Sequence, residues 1–199
     1  MKRSTILQTT LLMCGLSFSA APFAGGASGA MLGNTCAGCH GTNGISNGPA
    51  APSIAGLDYD YLVDAMQQFK AEERQSTIMA RIAKGYTDAE IEAMSKFFAE
   101  KKYVLAVQEY DAAAAKRGGK LHEKYCNNCH EDAGTKQDED EDAGMLGGQW
   151  RPYLKYTFAD YEAGKRDMGK KMKKKFKSMQ KKAGDQGVAD LLEFYASQK

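Results

Sequence analysis

The word C-x-x-C-H occurs twice in this chain, as Cys36-Ala-Gly-Cys39-His40 and as Cys126-Asn-Asn-Cys129-His130. No other feature restricts the fold as strongly. The word is the attachment signature of c-type haem. Its two thiols add across the two vinyl groups of a porphyrin, and the histidine beside the second thiol ligates the iron from the proximal side. The competing reading, a pair of zinc or redox half-sites, treats both adjacent histidines as accidents. Two covalently bound haems c are therefore expected, attached through Cys36 and Cys39 and through Cys126 and Cys129, with His40 and His130 as proximal ligands.

The remaining cysteine, Cys14, falls in a segment that reads as an export signal. Met1-Lys2-Arg3 is a basic start, residues 6–21 are apolar, and small residues follow from Ala24 to Ala27. Residues 1–27 are taken as the signal peptide and a periplasmic location is expected. A lipid anchor at Cys14 fits poorly, because Met13 stands where a small residue belongs. No other segment is long and apolar enough to insert in a membrane. With the leader removed, every cysteine lies in a haem word, which leaves no thiol for a disulfide, an iron–sulfur cluster or a nucleophile. Of three histidines, only His122 is spare, and it points into the attachment turn of Cys126 from one helical turn away. Bis-histidine ligation of both haems is thus impossible, and the distal ligands must be methionine or be absent. A net charge of +2 gives no general attraction for nucleic acid.

The organisation is an internal repeat. The haem words lie 90 positions apart, and each is followed by a helical apolar pattern, Tyr61, Leu62, Ala65, Met66, Phe69 and then Tyr153, Leu154, Phe158, Tyr161. Closing helices are predicted around Ile91–Phe98 and Leu191–Tyr195. The fold class is all-α: two tandem class I cytochrome c domains, each a few helices packed around a covalently attached haem, over residues 28–105 and 106–199. The Ala112–Ala115 run reads as helix more than as linker, and the helix entering the second word is predicted from about Ala115 to Tyr125, with a weak start at Gly118 and Gly119. The second half adds an acidic run at 138–142, read as a solvated loop. Domains this small bury little apolar surface by themselves, so the haem is expected to serve as core as well as cofactor.

Met66 and Met94 lie on apolar helix faces and read as core. Met79 falls between the two helices, where a loop passes the open face of a haem, and is the first candidate distal ligand. In the second half Met168, Met172, Phe176 and Met179 form one apolar stripe. The offset between Tyr61 and Tyr153 carries Met79 to position 171, which favours Met172 and leaves Met168 as the alternative. A thioether opposite histidine favours ferrous iron and fills the sixth position, so such a site passes single electrons and does no bond chemistry. Arg81 and Lys84 are candidates for pairing with haem carboxylates, or else plain surface charges. Residues 165–182 hold ten basic side chains and one acidic, either a solvated face or a patch that steers a partner.

Particular stretches resemble the dihaem cytochrome c subunit of flavocytochrome c, the sulfide dehydrogenase family. They are Cys36–Gly44, Ser76-Thr-Ile-Met79-Ala-Arg-Ile-Ala-Lys-Gly-Tyr86, Lys120–His130, Gly148-Gln-Trp-Arg-Pro-Tyr-Leu154 and Phe194–Gln198. The resemblance covers nearly the whole chain after the leader. It implies a heterodimer with a flavoprotein subunit that bears FAD and oxidises sulfide, electron flow through two haems to a soluble acceptor cytochrome, and Met79 and Met172 as distal ligands. On that reading the chain is no enzyme by itself. The alternative is a free-standing dihaem shuttle between membrane complexes and a terminal oxidase or reductase. A dihaem peroxidase would need an open distal site, which the methionines argue against.

Overall fold

A computed structural model describes residues 26–136 and 144–199. Nearly all of the expected export signal, including Cys14, and the acidic run at 138–142 lie outside the described residues. Within them the helices are, in order, α1 (Gly29–Asn34), α2 (Ala37–His40), α3 (Tyr59–Lys70), α4 (Met79–Ala83), α5 (Asp88–Ala99), α6 (Ala112–Tyr125), α7 (Glu131–Gly134), α8 (Arg151–Glu162) and α9 (Lys170–Ala196), and no strand occurs among the described residues. The fold is all-α, in two helix clusters, α1–α5 and α6–α9, each with one cysteine pair.

Local chemistry sets the helix starts. The Asp58 side chain accepts from the Tyr61 amide at α3, Thr87 and Glu90 form a reciprocal capping box at α5, and Asp111 accepts from the Ala114 amide at α6. Each satisfies an amide that has no partner within its helix. α6 begins at Ala112, on the alanine run expected to be helical, and runs through Gly118 and Gly119. A Cβ on Gly118 would strike the Asp190 carbonyl of α9, and one on Gly29 would strike the Ala93 carbonyl of α5. Both halves thus use glycine to bring their entry helix onto their closing helix. A mid-helix glycine costs about 1 kcal/mol relative to alanine, and the close crossing offsets it.

The repeat is visible bond by bond. The Gly44 carbonyl accepts from the amides of Ile54 and Ala55 at 2.8 and 3.1 Å, and the Gly134 carbonyl accepts from those of Leu146 and Gly147 at 2.9 Å each. The Gly56 amide donates to Phe98 at 2.8 Å, and the Gly148 amide donates to Tyr195 at 2.9 Å. α9 bends at Gly184, whose φ is 57°, and this separates the lysine-rich stretch from the closing turns.

Packing is modest in each half. The first is built on Leu57, Leu62 and Phe98, the second on Leu154, Phe158, Met179, Leu191, Leu192 and Tyr195. Residues 102–111 form no helix and lie along the second half, where the Ala106 amide donates to Gly148 at 2.8 Å. The halves are joined by buried polar contacts. Gln149, 2 % exposed, accepts from the Ser53 amide at 3.0 Å and donates to the Ser53 carbonyl at 2.6 Å. The Trp150 indole donates to the Ser46 carbonyl at 3.1 Å.

Candidate functional site

Each C-x-x-C-H word closes as one helical turn. The Cys39 and His40 amides donate to the Cys36 carbonyl at 3.2 and 3.0 Å, and the Cys129 and His130 amides donate to the Cys126 carbonyl at the same distances. In a helical turn, positions i, i+3 and i+4 share a face. Both thiols and the histidine therefore point to one side, as attachment to one flat macrocycle requires. All four cysteines are unpaired. Cys36 packs against the core cluster of the first half and Cys126 against that of the second. Burial pushes both of these thiols up from their ordinary range.

The histidines are prepared as neutral ligands. His40 donates through Nδ1 to the Pro52 carbonyl at 2.8 Å, which leaves Nε2 with its lone pair for a metal. Burial lowers its pKa, and the Pro52 carbonyl works against that shift. His130 is lowered further, to about 4, by burial first and by the neighbouring His122 second. Its Nδ1 is buried with no hydrogen bond of good geometry, and the Gly144 backbone is its polar neighbour. Gly144 occupies the place in the second half that Pro52 holds in the first. His122 is 2 % exposed, with Nδ1 3.1 Å from the Tyr195 hydroxyl and its ring beside Phe194. It packs on the closing turns of α9, as a spare residue behind the attachment turn.

A cavity of ≈ 520 Å³, lined mostly by the second half and partly by the first, brings together Cys129, His130 and Met172. Its apolar wall includes Leu146, Leu154 and Phe158. Phe158 stacks on Phe176 with ring centroids 5.5 Å apart. Met168 is 8 % exposed and is not among the residues that line the cavity. Met179 is buried in the core at 1 %. In the first half Met94 is in the core, Met66 is half-buried on α3, and Met79 opens α4, half-buried, with Ser76 Oγ accepting from the next amide at 2.8 Å. The thiol pair, the neutral buried imidazole and the apolar-walled cavity fit a c-type haem.

Arg81 and Lys84 fit the surface-charge reading. Arg81 is exposed, and Lys84 pairs with Glu72 at 2.9 Å. Two other arginines reach the second cavity. Arg74 and Arg166 place Nη2 atoms 3.5 and 3.3 Å from the Tyr61 hydroxyl. Burial alone would raise that phenol, but the two guanidiniums together outweigh it and bring it down to about 8. Tyr61, Arg74 and Gln149 come from one half and act on the other, which periodicity within either half does not reveal. The one available signal was the repeat offset, which sets Arg74 against Arg166. Lys170 and Lys171 stand at the cavity lining, and Lys173, Lys174 and Lys177 are exposed on the same helix.

Comparison with known proteins bears on the family and the fold. The cytochrome c family model matches residues 27–101. The cytochrome subunit of sulfide dehydrogenase of Chlorobaculum tepidum is 46% identical over 70 residues, which cover 35% of this chain and 63% of that protein, less than two thirds of its length. Cytochrome c4 of Stutzerimonas stutzeri is 31% identical over 150 residues, covering 66% of this chain and 69% of the relative. The crystal structure of reduced recombinant cytochrome c4 from Pseudomonas stutzeri superposes with a TM-score of 0.72 at 24% identity, over 87% of this chain and 100% of that one, and shows the shared fold.

Proposed function

The chain belongs to the cytochrome c4 family, as a dihaem electron-transfer protein of the cytochrome c type, and on that premise we propose that it works as a free-standing periplasmic shuttle. Cys36 and Cys39 would hold one haem and Cys126 and Cys129 the other, with His40 and Met79 as iron ligands of the first and His130 and Met172 as iron ligands of the second. When bound, a c-type haem between histidine and methionine exchanges single electrons and offers no open coordination position. The observation that carries the reading is the second cavity, where thiol, neutral imidazole and thioether line one apolar-walled space.

The residues of the chain supply orientation, an apolar wall and charge. The Pro52 carbonyl holds His40 in the tautomer that presents Nε2. Gln149 fixes the neighbouring Ser53 backbone from the other half, so the orientation of His40 depends on the docked interface. Leu146, Leu154 and Phe158 give the second site its apolar wall. The exposed lysines of α9 beside that cavity would steer an acidic partner toward it. Such steering is screened beyond about 8 Å at physiological salt. No described helix is long and apolar enough to cross a membrane. Export by residues 1–27 belongs to the proposal.

A second reading is favoured by the likeness to the sulfide dehydrogenase cytochrome subunit. In it the chain forms a heterodimer with an FAD-containing sulfide dehydrogenase flavoprotein and passes electrons to a soluble acceptor cytochrome. The shuttle is preferred because the cytochrome c4 relative aligns over 150 residues, against 70 for the sulfide dehydrogenase subunit. Isolation from native periplasm under mild conditions separates the two. The shuttle is expected to elute as a single chain without flavin absorbance, and to be reduced only slowly by sulfide. Co-elution with a flavin-bearing chain and rapid saturable sulfide oxidation would replace it with the subunit reading.

A further inference from the structure

We propose that Arg74, a residue of the first half, anchors the carboxylates of the haem held in the second half. This rests on the dihaem reading above and adds a residue to the second site that its own half does not contain.

Arg74 is 7 % exposed and lines the second cavity together with His130 and Met172. Its guanidinium carbon lies 4.8 Å from the centroid of Phe69 and 5.9 Å from that of Tyr61, so it is held in place by aromatic faces. Its Nη2 and that of Arg166 share the Tyr61 hydroxyl. Among the described residues neither arginine has an ion pair, although five ion pairs form elsewhere. Asp64 and Asp167 line the same cavity without pairing to either, and Lys170 and Lys171 add positive charge.

Guanidinium does not give up its proton in proteins. Two such cations, one almost wholly buried, gather around a single phenol at the cavity. A buried charge without a partner is strongly unfavourable. The arrangement therefore calls for anions, and a haem brings two carboxylates. Carboxylate and guanidinium match as planar, two-bonded partners. The thioether bonds at Cys126 and Cys129 and ligation by His130 would fix the opposite side of the group, which leaves the arginine wall for the carboxylates. Arg81 and Lys84 do not meet this need, since one is exposed and the other is paired.

The consequence reaches across the halves. A cation beside the haem carboxylates favours the added electron, so a residue of the first half would raise the potential of the second haem. The test is a spectroelectrochemical titration of the full dihaem chain, with haem per chain counted first. The second-haem transition is the one that Met172→His moves. Arg74→Gln is expected to shift that transition toward lower potential by about tenfold in its reduction equilibrium, about 59 mV for one electron. The first-haem transition should move less, and Arg81→Gln should move neither. Arg74→Lys keeps the charge and loses the planar fork. It should leave the potential nearly in place while the propionate bending band in resonance Raman shifts. An unmoved second transition, or a shift confined to the first haem, overturns the inference and leaves the dihaem reading intact. If Arg74→Gln does not assemble, an unmoved propionate band in Arg74→Lys overturns it equally. A single haem per chain would overturn both.

Discussion

Met172→Ala is expected to abolish one of the two low-spin histidine–methionine centres proposed above. The far-red absorption of ferric iron–thioether bonds falls by about half, and Met79→Ala together with Met172→Ala removes it entirely. The physical ground is coordination. Met172 lines the cavity that holds His130 and Cys129, whereas Met168 is buried away from that lining. Alanine has no donor to replace the sulfur. The vacated position then takes water or stays open, and the potential of that haem falls because the ferrous state loses its preferred ligand. Optical spectra of the purified ferric variants check this. Loss of the band in Met168→Ala, with retention in Met172→Ala, would reassign the second distal ligand.

The second large effect comes from the attachment cysteines. Replacing Cys126 and Cys129 together by serine is expected to halve the haem content and to remove the cooperative thermal transition of the second half. The six-residue core cluster there is small, and the cavity beside it is lined by Leu146, Leu154 and Phe158. Without the macrocycle those faces meet water or collapse. A domain of ordinary size has a folding free energy of about 5–15 kcal/mol, and loss of the group that fills its centre takes most of it. The interface adds to the cost, since Gln149 and Trp150 couple the second half to Ser53 and Ser46. Differential calorimetry of the full chain reads the effect as loss of one transition and destabilisation of the other. A double-serine variant that keeps both transitions would show that the helices suffice without haem.

Much of this architecture was legible in the sequence, and the reasons are physical. The C-x-x-C-H spacing is a helical-turn spacing, so the attachment turns could be drawn before any coordinates. The periodic apolar positions around Leu62 and Leu154 marked α3 and α8, both with those residues buried. The offset between Tyr61 and Tyr153 aligned the two halves, and the paired carbonyls of Gly44 and Gly134 repeat it in hydrogen bonds. The Ala112–Ala115 run marked the start of α6, and Gly118, a residue that weakens a lone helix, is the one that permits its crossing with α9. What acts between the halves was not legible. Gln149 drew notice only as part of a resemblant stretch, and its grip on Ser53 depends on docking. Nothing in the sequence around Arg74 marks it; it lies in the turn after α3, which meets the second half where the Gln75 amide donates to the Lys165 carbonyl at 3.2 Å. For Arg81 and Lys84 both readings were open in the sequence, and the exposure of Arg81 and the Lys84–Glu72 pair fit surface charges.

The central claim is that one chain holds two separate one-electron centres and no site for bond chemistry. Controlled-potential titration of the purified chain, read by optical absorbance and by coulometry, tests it most directly. The expected result is two haems per chain and two one-electron transitions, with no change in either spectrum when carbon monoxide is added to the reduced protein. A single transition of one electron per chain, or a reduced haem that binds carbon monoxide readily, would contradict the account.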